Sequence, residues 1–125
     1  MEEKIYIPII NRSEIHKVFI ENIMVIEQKL RKIIIYTDTE EKRYSRYGKL
    51  DEIVMFLDDR FFRCHHSYLI NMKKVVKMRE QTIFFEGGVQ VAIGREKFHV
   101  AKQKFAGFMI QETSAKKLLA RSVRI

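Results

Sequence analysis

From residue 5 to residue 93 the chain is built mostly of short apolar runs separated by polar turn signals, a pattern that commits it to strands. Ile5, Ile7 and Ile9 alternate with Tyr6, Pro8 and Ile10. Pro8 has no N–H to give a ladder, which assigns this first strand to a sheet edge. Asn11-Arg12-Ser13-Glu14 reads as a turn, and apolar runs follow over residues 15–20 and 23–26. Lys29-Leu30-Arg31-Lys32 then interrupts with three positive charges at an expected strand-to-strand loop. Residues 33–36 are β-branched and strand-like, 37–41 are polar, and 42–47 alternate again. A further strand is expected over 75–78. Residues 82–86 and 89–93 flank Gly87-Gly88, a two-residue hairpin signal, because glycine accepts the positive φ of primed turns.

The period changes twice. After Gly48, the spacing of Leu50, Ile53, Val54 and Leu57 predicts a short central helix, stopped by Asp58-Asp59. Beyond Gly94, Phe98, Ala101, Phe105 and Phe108 or Met109 line one face of a C-terminal helix, with Lys97, Lys102 and Lys104 around it. Residues 113–125 carry Lys116, Lys117, Arg121 and Arg124 without an acid, and either extend that helix or form a disordered basic tail. The expected fold is mainly β: small antiparallel sheets with a short central helix and a C-terminal helix. One domain over residues 1–111 is followed by a basic tail over 112–125.

An apolar content of 46% in 125 residues supplies one core without a metal or disulfide staple. Cys64 is a single thiol and has no internal partner, which favours a reducing compartment. No apolar run approaches the roughly 18–20 residues of a membrane span, and Met1-Glu2-Glu3-Lys4 is unlike the start of a secretory signal. A cytoplasmic location with no membrane role is therefore expected. Lys and Arg number 24 against 16 acids, a net charge of +8. Such a chain attracts polyanions, nucleic acid first and an anionic membrane surface second. The bland alternative is a charge that only aids solubility.

The densest constellation is Arg63-Cys64-His65-His66-Ser67. As a nucleophile–base pair it is poor, because neighbours on an extended segment point to opposite faces. The same geometry, and the lack of further ligands at useful spacing, argues against metal at His65/His66. Gly87-Gly88 lacks the Lys-Ser/Thr and the helix start of a phosphate loop. No enzymatic activity, cofactor or metal is expected, and Cys64 reads as a small buried hydrophobe. The basic residues fit better. Arg63, His66, Lys73, Lys74, Lys77 and Arg79 crowd one third of the chain, Lys29, Arg31 and Lys32 another loop, and Arg95 opens the last helix. Brought to one edge, they would meet phosphates and base edges together. Otherwise they form a scattered, solvated surface.

The segment Phe61-Phe62-Arg63-Cys64-His65-His66-Ser67-Tyr68-Leu69-Ile70-Asn71, followed by Val75, closely resembles the signature of LytTR-type DNA-binding domains. That signature is an aromatic, Arg, a small residue, His, a polar residue, Ser, an aromatic or Leu, an apolar pair and Asn. The order around it matches as well: Ile26-Glu27 before a basic loop, Tyr47-Gly48-Lys49-Leu50 opening a helical segment that ends at Asp58-Asp59-Arg60, and a hairpin leading to Gly94-Arg95. The resemblance spans about residues 4 to 108. It implies small, mostly antiparallel sheets whose loops enter successive major grooves of bent DNA. By position it implies a first major-groove contact at Lys29, Arg31 and Lys32. His66 would touch the DNA backbone between grooves, and Arg95 would contact bases in the second groove. Arg63 is expected either to anchor phosphate or to brace its loop, and Ser67 and Asn71 to hold loop geometry.

Two departures stand out. The first loop has no histidine or asparagine reader, only Leu30 among cations. No receiver domain precedes the module, so a free-standing regulator or the end of a longer one is expected. The expected function is sequence-specific binding of double-stranded promoter DNA to regulate transcription. A second copy on paired repeats and a receiver-domain or kinase partner in trans are candidate partners. The alternatives are a protein-interaction module modulating another regulator and, more weakly, a basic tail on a membrane surface.

Overall fold

Ile23-Met24-Val25-Ile26 is apolar without alternation, as suits a strand covered on both faces. In the computed structural model, which describes residues 5–123 with side chains through residue 114, this run opens the middle strand of the largest sheet. Five antiparallel strands make up that sheet: β3 (Ile23–Lys29), β4 (Lys32–Thr37), β5 (Arg43–Tyr47), β6 (Phe61–His65) and β7 (Tyr68–Asn71), in the order β5-β4-β3-β7-β6. All four residues of the run are buried. Edge strand β5 instead alternates exposed and half-buried residues.

Each face of this sheet carries its own core. On one side Ile26, Ile33, Ile35 and Leu69 pack with Ile7, Ile9 and Val18 and with Leu50 and Ile53. Ile7, Ile9 and Val18 belong to a two-stranded sheet of β1 (Tyr6–Ile10) and β2 (Ile15–Phe19). Its turn is closed by Asn11, whose Oδ1 accepts from the N–H groups of Ser13 and Glu14 at 3.0 Å each. Pro8 lies on an edge strand, as expected, since both strands of a two-stranded sheet are edges. On the other side Val25, Cys64 and Ile70 pack with Ile83, Phe85, Val91, Ala101 and Phe105. These come from a three-stranded sheet, β8 (Val75–Arg79), β9 (Thr82–Phe85) and β10 (Gln90–Ala92), and from the helix α1 (Arg95–Val123).

The architecture is the expected one, with two local differences. The central helix is two 3-10 turns, Leu50–Glu52 and Val54–Phe56. Leu50 and Ile53 are buried, while Val54 is 44% exposed and Leu57 only half-buried. Residues three apart eclipse in a 3-10 turn, so two anchors at that spacing suffice and no α-helical stripe is needed. The glycine hairpin closes through three residues, Glu86–Gly88, with Phe85 N–H donating to Val89 O at 2.9 Å and φ of 80° and 89° at the glycines. A tighter turn, Glu80-Gln81, takes φ of 50° and 62° with no glycine at all. The expected boundary before residue 112 coincides with no break in the backbone of α1, which continues to Val123. The side chains of Lys116, Lys117 and Arg121, and Arg124 entirely, lie outside the described residues.

Candidate nucleic-acid interface

Register decides which loops share an end of the sheet. Lys29 pairs with Lys32 across the β3–β4 turn, Glu27 pairs with Tyr68 at the start of β7, and Lys32 pairs with Tyr47 at the end of β5. The tips of the β3–β4 and β6–β7 hairpins therefore project from the same end, joined by a 2.8 Å bond from Gln28 N–H to Ser67 O. The first turn of α1 lies beside the second hairpin, close enough for the Lys97 charge to act on both Cys64 and His65. In order across this end stand Lys29, Arg31 and Lys32, then His66, then Arg95 and Lys97, all with exposed side chains. Among the described residues, Lys29, Arg31, Arg95 and Lys97 have no ion-pair partner.

The first tip is stiff because Gln28 sits beneath it. Its Nε2 donates to Leu30 O at 3.0 Å and Gly48 O at 2.9 Å, with Lys32 O at 3.3 Å, and its Oε1 accepts from Leu50 N–H at 2.9 Å. Gly48 N–H in turn donates to Arg31 O at 3.0 Å. A side chain at Gly48 would be strained, since φ is 144° and a Cβ would stand 2.7 Å from Glu52 Oε2. Lys32 Nζ lies 5.3 Å from the Tyr47 ring centroid, a cation–π contact that steers it along the sheet edge.

The second tip is held from its flanks. Arg63 donates to Asp51 Oδ1 at 2.6 Å and to His66 O at 2.9 Å, so its guanidinium braces the turn. Cys64 is the extra residue of a bulge, since Arg63 pairs with Leu69 and His65 with Tyr68. It is buried, and burial pushes its thiol up to about 12. The His65 and His66 rings lie 4.1 Å apart, and His65 Nδ1 accepts from Ser67 N–H at 3.1 Å. Loss of hydration, then the neighbouring His66 and Lys97, hold the His65 imidazole below its ordinary value of 6.5. Asn71 is wholly buried beneath the hairpin, donating to Ile23 O at 2.8 Å and accepting from Lys73 N–H at 3.0 Å.

A family model described as the LytTr DNA-binding domain matches residues 13–106. The chain belongs to that family. Its LytTr fold is similar to the LytTr DNA-binding domain of a Bacillus cereus protein described as a methyl-accepting/DNA response regulator. The TM-score is 0.67 with 20% identity, over 84% of this chain and 99% of the other. Accessory gene regulator protein A of Staphylococcus epidermidis (strain RP62A) is 30% identical over 70 residues, 54% of this chain and 29% of that protein. The protein of the same name from Staphylococcus aureus (strain N315) is 29% identical over 68 residues, 53% of this chain and 28% of that one. The chain thus spans less than a third of the length of the curated relatives it matches.

Not every cation singled out in the sequence reaches this end of the LytTr domain. Lys74 is tied to Asp38 at 2.7 Å and Glu86 at 3.6 Å, and Lys77 lies over the Phe84 ring at 4.7 Å. The run from Arg63 to Arg79 is therefore a cluster along the chain and not in space. Arg79 precedes the Glu80-Gln81 turn, which Gln81 O and Ile93 N–H hold beside the start of α1 at 3.0 Å. Sequence reading missed Gln28, Tyr47 and Lys97 as parts of the site. Only Lys97 carried a signal, as a second cation in the turn opened by Arg95. Among the described residues no His/Cys/Asp/Glu group could hold a metal, and no helix is long and apolar enough to cross a membrane.

Proposed function

We propose that this LytTr domain binds double-stranded promoter DNA sequence-specifically and thereby regulates transcription. One observation carries the reading: the β3–β4 loop, the β6–β7 loop and the start of α1 are held at one end of the molecule, where Lys29, Arg31, Arg95 and Lys97 have no ion-pair partner among the described residues. Lys29, Arg31 and Lys32 enter one major groove. His66 meets the backbone between grooves, and Arg95 reads bases in the next groove, where arginine pairs bidentately with guanine. Arg63 serves the site by bracing His66 and is the least direct contact. Tight hairpin tips suit a groove about 12 Å wide that also admits an α-helix. No chemistry on DNA is part of this reading. A second copy binds a paired repeat, and a receiver domain or kinase that gates the whole regulator is a further partner.

Selection of bound duplexes from a random pool tests the reading. The expected result is a motif of two short blocks about one helical turn apart, the separation of neighbouring major-groove contacts on one face. Recovery of no motif, with affinity governed by salt alone, overturns it.

A further inference from the structure

The tip of the β3–β4 hairpin spends a leucine where the fold has no use for one. Leu30 is 93% exposed and lies in the left-handed region, with φ of 57°. A branched apolar side chain is disfavoured there, where glycine and asparagine are at ease. It also buries none of its surface in either core. Strain and exposure together, at a position over-determined by Gln28 and Gly48, point to a use outside the fold. The surroundings narrow that use. Lys29, Arg31 and Lys32 flank Leu30, and the same shallow hollow continues over Ile34 and Tyr47, which is 69% exposed. The tip is thus an apolar point inside a cationic frame. Phosphates engage the frame, and the point then faces whatever lies between two phosphate backbones.

We propose that Leu30 reads a thymine through its C5-methyl group, which makes it the specificity-determining residue of the first loop. The inference rests on the DNA-binding function proposed above. Leucine offers neither donor nor acceptor, so it discriminates base pairs only by shape and hydrophobicity, and the thymine methyl is the apolar feature that the major groove presents. The Gln28 bonds to the Leu30 and Lys32 carbonyls fix the tip in advance, so the contact requires little ordering. The same contact accepts 5-methylcytosine, which carries the identical methyl.

The test replaces each thymine of the selected site by uracil, one at a time, removing one methyl and no hydrogen bond. One position per half-site is expected to weaken binding by the wild-type chain about fourfold, the effect of one buried carbon. L30A binds the thymine and uracil duplexes equally. L30N, whose side chain suits the left-handed backbone, is at least as stable to heat as the wild type and also loses the preference. Its insensitivity therefore cannot be blamed on unfolding. If the wild type is indifferent to every uracil, or L30A keeps the full penalty, the assignment to Leu30 is wrong even though specific DNA binding stands. If no specific site exists to substitute, the underlying function has failed instead. Capture by anionic vesicles (phosphatidylserine with phosphatidylcholine) that is lost in L30A, with no uracil effect, reassigns the tip to a lipid surface and overturns the proposal.

Discussion

Gln28→Ala separates positioning of the first loop from contact with DNA. The NH₂ group has two hydrogens, so the contacts to Leu30 O and Gly48 O count fully and the longer one to Lys32 O is shared. With the bond accepted from Leu50 N–H, three net hydrogen bonds are lost. A net value of about 1 kcal/mol for each sets the upper limit. Water replaces some of them at this half-exposed site, which leaves about 2 kcal/mol of destabilisation. Urea unfolding should show a lower midpoint at unchanged slope. Gln28→Glu should cost as much or more, because it aims a carboxylate at the same carbonyls. Binding to the selected site, measured where both proteins are folded, should weaken while the log–log salt slope stays constant, since no phosphate contact is removed. A stability loss below about 0.5 kcal/mol, or a slope reduced by about one, would refute the positioning role.

Other expectations follow from the same geometry. Arg95→Ala should cost roughly 1–3 kcal/mol on the specific site and far less on random DNA, whereas Lys29→Ala or Lys32→Ala should weaken all sequences and reduce the salt slope by about one. Equal losses on both DNAs would make Arg95 a phosphate contact. Cys64, buried with its thiol pushed up to about 12, should resist alkylation at pH 8 until the chain is unfolded. Modification of the folded protein by an excess of iodoacetamide within minutes would contradict that burial. His65 should titrate below 6.5 by NMR. With the folded value depressed, the unfolded chain takes up the proton first, so stability should fall as pH drops below about 6.5, and His65→Gln should flatten that slope. A midpoint at 6.5 would remove that slope, and one above it would reverse the sign. Finally, inserting about five base pairs between paired repeats should abolish cooperativity and spare single-site affinity, because half a helical turn moves one copy to the opposite face.

Local pattern determined much of this protein. The β-branched residues of β4, the alternation in β5, the unbroken apolar run opening β3 and the Gly94 switch to helical period fix strands and helix without reference to anything distant. The signature from Phe61 to Asn71 located the hairpin that carries His66, and the charge of Lys29, Arg31, Lys32 and Arg95 was plain in the residues themselves. Tertiary structure decided which charges act together. Lys74 and Arg63 look like equals in the sequence, yet one pairs with Asp38 and Glu86 while the other braces the hairpin. Gln28 was invisible for the same reason. Its partners Gly48 and Leu50 lie 20 and 22 residues away and meet it only after β3, β4 and β5 have paired. Composition and periodicity report what each residue prefers. Antiparallel register determines which hairpin turns share an end of the sheet, and the packing of α1 against β6 brings the third basic segment beside them.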